Sequence, residues 1–261
     1  MKEQIKVKLQ QIEEENDVKI LYAVESGSRA WGFPSKDSDY DVRFIYIHRP
    51  EWYLSIDQKR DVLEYPIHDL LDISGWDLRK ALQLLAKSNP ALLEWLRSPI
   101  VYTENYSTAS NIRKISKAYI SKKASIYHYL HMANGNYRGY LQSKMVRIKK
   151  YFYVLRPILA CMWLERENSI PPVEFEKLLE MNNLSSILLK EIHELLRRKT
   201  AGEELDVEEH RPILNQFIEE KLSYYEHYVK EIVNQERMDI EVLNELFRST
   251  LTEVWECKKK E

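Results

Sequence analysis

Gly27-Ser28 and Asp39-Tyr40-Asp41 are the residues whose types and spacing could do chemistry together in this chain. An apolar run, Ile20 to Val24, leads into the first pair, and ten residues later the second motif opens another apolar run, Val42 to Ile47. That order reads as a strand, a tight glycine turn and a second strand. Side chains alternate faces along a strand, so Asp39 and Asp41 share one face while Tyr40, Val42 and Phe44 take the other. Two carboxylates in one small space repel each other unless a cation sits there, and paired carboxylate oxygens suit Mg²⁺, with Mn²⁺ as an alternative. Gly27 lets the backbone approach an anion, the Ser28 hydroxyl can donate to a phosphate oxygen, and Arg29 adds positive charge. A short helix from Ser28 through Trp31 would turn its first amides toward the same anion. Alone, an Asp-x-Asp is usually a solvated turn and a Gly-Ser an ordinary one. Their combination points to a divalent metal beside a phosphate.

The stretch GSRAWGFPSKDSDYDVRFIY closely resembles the active-site signature of the DNA polymerase beta-like nucleotidyltransferase superfamily. It is most similar to a group of predicted bacterial and phage nucleotidyltransferases, the YcgL type, some of them associated with RNA repair. The likeness continues through LDISGWDLRKALQLLAKSNPALLEWLRSPIVY, Leu71 to Tyr102, and returns at KKYFYVLRPILA, Lys149 to Ala160. The resemblance implies that Asp39 and Asp41 bridge two Mg²⁺ ions and that Gly27 and Ser28 seat the β- and γ-phosphates of a nucleoside triphosphate, ATP first. A third carboxylate is then needed to hold the metal that activates the attacking hydroxyl. Asp69, Asp72 and Asp77 are the candidates by position, and the resemblance points to Asp72.

Positioning these groups requires a sheet and its helices. Residues 2–16 place Ile5, Leu9 and Ile12 at helical spacing, the pattern of an amphipathic helix against one side of a sheet. Strands are expected at about 18–24 and 41–47, then at 52–56, 62–65 and 67–73. Ser74-x-x-Asp77 reads as a capping box for a helix over 75–87 with Leu78, Leu82 and Leu85 inward and Lys80 solvated. Asn89-Pro90 opens a short helix through Arg97, on which Glu94 is expected to be exposed. Two long helices, 108–133 and 137–166, should flank a loop at Asn134-Gly135-Asn136, with Pro157 inside the second. Lys149, Tyr153 and Arg156 recur at intervals of four and three and so share a face. That face is a candidate wall opposite the carboxylates, with Lys149 or Arg156 on the triphosphate and Tyr153 against base or ribose; the alternative is a solvated basic ridge with Tyr153 in the core. Pro171-Pro172 leads to final helices over 173–181, 185–199, 212–235 and 240–256.

With 261 residues, 44% hydrophobic and 31% charged, the chain can bury a substantial core and has the composition of a water-soluble globular protein. No apolar run approaches the roughly 20 residues of a membrane span, and the first sixteen residues lack a secretory apolar core, so a cytoplasmic location is expected. Cys161 and Cys257 stand apart with no zinc spacing. His128 and His131 stand three apart and read as surface or packing residues rather than metal ligands. The net charge of −2 conceals an asymmetry: from Asn105 to Leu164 there is no acidic residue and there are eleven basic ones. Eight of the 17 tyrosines fall in that segment. Cations interleaved with aromatic rings suit a polyanion such as RNA, although helical bundles also use tyrosine for packing.

The expected architecture is an α/β (α+β) nucleotidyltransferase domain with a small mixed sheet over residues 1–104, followed by an all-α region over 105–261. The expected activity is metal-dependent transfer of a nucleoside monophosphate from a nucleoside triphosphate to an acceptor hydroxyl, RNA first, releasing pyrophosphate (EC 2.7.7 type). The alternatives are a small-molecule acceptor, a protein hydroxyl (AMPylation), or a catalytically inactive nucleic-acid-binding protein. The oligomeric state is left open.

Overall fold

The computed structural model describes residues 1–68, 70–181, 183–203, 207–233 and 239–256. It begins with α1 (Lys2–Asn16), whose Ile5, Leu9 and Ile12 are all buried. Next come β1 (Val18–Ser26), α2 (Gly27–Trp31), β2 (Tyr40–His48), α3 (Pro50–Tyr53), β3 (Val62–Glu64), β4 (Leu71–Asp77), α4 (Leu78–Ala86), α5 (Pro90–Trp95) and β5 (Val101–Glu104). The five strands form one mixed sheet in the order β3-β4-β2-β1-β5, with β2 and β4 parallel and the other neighbours antiparallel. The carboxyl-terminal part contains α6 (Thr108–Ser116), α7 (Lys122–Tyr140), β6 (Met145–Arg147), α8 (Ile148–Glu167), α9 (Phe175–Met181), α10 (Ser186–Thr200), β7 (Val207–Glu209), α11 (Pro212–Glu231) and α12 (Ile240–Trp255).

Both faces of the sheet are covered. Val42, Phe44 and Tyr46 of β2 pack with α1, while Ile45 and Ile47 face a second cluster built from α4, α5, α6 and α12. A bulge at Leu21 breaks the β1–β2 register. It shifts the alternation by one, so Ala23 joins Val18 and Ile20 on the α1 face while Tyr22 and Val24 join the other. A third cluster surrounds α8, whose buried face meets α7, α9, α10 and α11 and takes in Phe33 from the loop after α2. Phe33 thus ties the β1–β2 connection to the helical region.

Several local expectations change. Residues 52–56 are not a strand: Pro50, with its fixed φ, stands at the first turn of α3. The strand expected over 67–73 runs over Leu71–Asp77 instead, and the following helix starts at Leu78. Gly75 pairs with Phe44 inside the sheet, and a Cβ there would come within 2.2 Å of the Phe44 ring, so this glycine serves a close approach rather than a helix start. Asp77 itself is the cap of α4. Asn134-Gly135-Asn136 is no loop either, since α7 continues through it to Tyr140, held by buried Ala133 and Tyr137 against weak local propensity. The region expected to be all-α carries a two-stranded ribbon, β6 with β7. Among the described residues no helix is long and apolar enough to cross a membrane. Cys161 is buried, and Cys257 lies outside the described residues.

Candidate active site

Asp39 ends the loop before β2 and Asp41 is the second residue of that strand, so alternation sends both side chains to one side. They line a cavity of about 350 Å³ together with Ser26, Gly27 and Ser28 from the β1–α2 junction. Asp41 pairs with Ser26 across the β1–β2 ladder, which brings carboxylate and glycine together. Gly27 has φ +59°, and a Cβ there would lie 2.0 Å from Asp41 Oδ2. Glycine alone leaves room for that carboxylate.

Across the parallel β2–β4 pair, Asp41 stands opposite Asp72. Arg43, two residues along the same face, donates from Nη2 to Asp41 Oδ1 at 3.1 Å and to Asp72 Oδ2 at 2.7 Å. Its Nη1 donates to the carbonyls of Val42 at 3.1 Å and Asp72 at 2.9 Å. Burial pushes the Asp41 carboxyl above the ordinary carboxylate range; Arg43 opposes this, and Asp72 and Asp39 add to it. Fully buried Glu25 accepts the backbone N–H of Asp41 at 2.7 Å and the hydroxyl of Tyr102, fixing the Asp41 main chain from β1. Burial raises the Glu25 carboxyl too, against those two hydrogen bonds.

The donor set consists of carboxylate oxygens, which suit a hard divalent cation, and the cost that burial places on the Asp41 charge is one a bound cation would offset. Among the described residues, no group of three or more His, Cys, Asp or Glu stands ready to hold a metal. Magnesium commonly uses one or two carboxylates and completes its shell with water and substrate phosphates, so Asp39 and Asp41 fit it without a preformed third ligand.

Of the three candidates for the third carboxylate, Asp72 adjoins Asp41 and Asp69 lies outside the described residues. Asp77 is engaged elsewhere: fully buried, it accepts the Tyr53 hydroxyl at 2.6 Å and the Arg79 N–H at 2.8 Å. Burial pushes its carboxyl up to about 6 from 3.8. A carboxyl raised on folding contributes stability that is complete below its unfolded value and disappears as pH rises through the folded one. Wild type should therefore lose roughly 2 kcal/mol more than Asp77→Asn between pH 4 and pH 7 in urea unfolding. Parallel pH profiles for the two proteins would contradict this.

The opposite wall comes from the helical region. Lys149 and Tyr153 of α8 line the cavity with Phe152, and Trp31 and Phe33 join them. Lys199 of α10 lines it as well, only 5% exposed, with its ammonium 5.3 Å from the Phe33 ring centroid. Arg156, expected on the same face as Lys149 and Tyr153, is not among the lining residues. It is buried, donates to Glu94 Oε1 at 2.7 Å and to the Val173 carbonyl at 3.3 Å, and packs 4.7 Å from the Trp31 ring. Glu94 is accordingly no exposed residue, since it also accepts the Tyr129 hydroxyl at 2.8 Å. Arg29 does not line the cavity either. It donates to the carbonyls of Ser38 at 2.7 Å and Asp39 at 3.1 Å and stacks on Tyr40, fastening the loop that carries Asp39.

Among the residues of this constellation that escape the sequence reading are three charged ones. Arg43 had a signal, because the parity that aligns Asp39 with Asp41 also places Arg43 on their face. Glu25 had a fainter one, an acidic residue ending an apolar run. Lys199 had none, because nothing local marks a lysine near the end of α10 as a neighbour of Phe33.

A family model described as RlaP, RNA repair pathway DNA polymerase beta family, matches residues 1–249, well past the stretches in which the likeness is visible. The chain is 53% identical over 255 residues, 98% of each chain, to the uncharacterized protein YcgL of Bacillus subtilis (strain 168). A solved structure of a nucleotidyltransferase-like protein from Exiguobacterium sibiricum 255-15 is similar at 14% identity over 94% of this chain and 78% of that one, with a TM-score of 0.31, too low to carry an argument.

Proposed function

The chain belongs to the RNA repair pathway DNA polymerase beta family, and from that premise we propose that it is a metal-dependent nucleotidyltransferase with RNA as acceptor and ATP as the first-choice donor. The single observation that supports this most is the shared cavity: Asp39 and Asp41 on one side, Gly27 and Ser28 beside them, Lys149 and Lys199 across from them. The same proposal takes residues 1–104 as the catalytic part, 105–261 as the part that closes over it, and the cytoplasm as its place.

Asp39 and Asp41, with Asp72 adjoining, would hold Mg²⁺, which when bound supplies charge neutralisation and activation of the attacking oxygen. Gly27 keeps the Asp41 carboxylate and the substrate phosphates close, and Ser28 donates to a phosphate oxygen. Lys149 and Lys199 place two ammonium groups toward the charge that gathers on the leaving diphosphate. Trp31 and Tyr153 offer ring surfaces to the base. The acceptor oxygen bonds to the α-phosphorus as the bond to the β-phosphate breaks, pyrophosphate leaves, and the acceptor proton passes to a carboxylate of the set. Arg43 and Glu25 act by position, one holding the Asp41 and Asp72 side chains and the other the Asp41 main chain.

Incubation with each α-labelled triphosphate, Mg²⁺ and separate pools of RNA, protein and small molecules tests the reading. Label should appear in RNA; label in none of the pools contradicts it. Lys199→Met should weaken binding of a fluorescent Mg²⁺–nucleotide about tenfold or more, the usual scale for losing a charged hydrogen bond. Unchanged affinity would remove Lys199 from the phosphate site.

A further inference from the structure

The acid-free segment divides its tyrosines in a telling way. Tyr119, Tyr129, Tyr137 and Tyr151 are buried in the cores, whereas Tyr127, Tyr140 and Tyr153 are exposed. Two of the exposed rings flank one cation: the Lys150 ammonium lies 3.6 Å from the Tyr140 ring centroid and 5.2 Å from that of Tyr153. Tyr153 is at once a wall of the cavity and a surface residue, 37% exposed, and it meets Trp31 edge-on at 6.3 Å. Trp31 in turn lies 5.8 Å from Phe33. A continuous run of rings therefore leads from inside the cavity, over its lip at Tyr153, across Lys150 and out to Tyr140. Arg138 and Arg147 are exposed on the same stretch of chain.

We propose that Lys150 and Tyr140, with the exposed side of Tyr153, form the entry track for the acceptor, a single-stranded polynucleotide whose terminal bases stack on these rings and whose end hydroxyl reaches the carboxylates. The cavity side of Tyr153 is left to the donor base. The inference rests on the transferase reading above and adds to it the surface and the strandedness of the acceptor. Exposed rings alternating with cations match a chain of unpaired bases and phosphates, because every base has a stackable face and every linkage a negative charge. A duplex hides its base faces and gains nothing from the rings. Lys150 holds the space between the two rings in the free protein; as a base enters, its ammonium turns to the neighbouring phosphate, still within reach of both. The larger groove on another side of α7, lined by Lys123, Tyr127, His131 and Glu226, lacks this match. There Lys123 donates to the Ile232 carbonyl at 2.9 Å and Glu226 contributes a carboxylate.

The test is fluorescence anisotropy of a labelled single-stranded oligoribonucleotide and of its blunt duplex against the full chain, with Mg²⁺–nucleotide binding measured on the same samples. Tyr140→Ala should weaken single-strand binding about tenfold, while Tyr140→Phe keeps the ring and the affinity. Lys150→Gln should reduce the slope of log affinity against log salt by about 0.7, one phosphate contact on a single strand. Nucleotide binding should be unchanged in all three, since none of these residues lines the cavity. Three outcomes overturn the track: wild-type single-strand affinity in both Tyr140→Ala and Lys150→Gln, equal affinity of wild type for duplex and single strand, or no RNA binding at low salt. Label transfer that persists to another acceptor in those cases leaves the transferase reading standing. Conversely, a track that binds as described in a protein that labels nothing leaves the surface intact and removes the activity.

Discussion

Asp41→Asn is expected to lower nucleotidyl transfer by about 10³-fold or more while the protein keeps the thermal midpoint of wild type or exceeds it. The two halves of this result have one cause. Burial, Asp72 and Asp39 all work against a charge on Asp41, so without a bound cation that charge costs stability rather than providing it. Asparagine keeps the shape, removes the cost and loses one contact to Arg43, whose guanidinium retains Asp72 and two backbone carbonyls. What it cannot supply is the second negative charge in the cavity. A label-transfer assay beside a thermal melt reads both halves. Wild-type turnover would remove Asp41 from the chemistry, and an unfolded variant would give it a structural role that the sheet does not suggest.

Gly27→Ala adds a single methyl group and should lower activity about 10²-fold or more, with roughly 1–3 kcal/mol lost from stability. Two penalties add. An alanine at φ +59° costs on the order of 1 kcal/mol for its left-handed backbone, and its Cβ would stand 2.0 Å from Asp41 Oδ2. That carboxylate cannot simply swing aside, because Arg43 holds Oδ1 and Glu25 holds the Asp41 main chain. A double-mutant cycle separates the penalties. In an Asp41→Ala background, Gly27→Ala should cost only the backbone share, because the clashing oxygen has gone. Equal costs in both backgrounds would mean that glycine and carboxylate do not meet.

These expectations show where sequence patterns carry geometry and where they do not. Strand alternation around Asp39-Tyr40-Asp41 was readable because period two is a property of the local chain, and so were the buried positions of α1 and the Asn89 cap of α5. The strand at Leu71–Asp77 was misplaced because Gly75 looks like a helix boundary unless the Phe44 ring across the ladder is known. Asn134-Gly135-Asn136 looks like a turn for the same reason, since its helical state is imposed by the packing of Ala133 and Tyr137. On the site itself, Lys149 and Tyr153 reach the cavity from α8 while Arg156, sharing their spacing, is drawn to Glu94, because a partly buried carboxylate more than sixty residues earlier in the chain outweighs helical phase. Lys199 illustrates the limit most clearly, being brought to Phe33 only by the packing of α10 on α8.

The most direct measurement needs no acceptor at all: titration of Mn²⁺ by electron paramagnetic resonance with and without a nonhydrolysable nucleoside triphosphate, on wild type and on Asp41→Asn. The account predicts that in wild type metal and nucleotide each tighten the binding of the other, and that this mutual gain disappears in the variant. Independent binding of the two in wild type, or full mutual gain in Asp41→Asn, would contradict it.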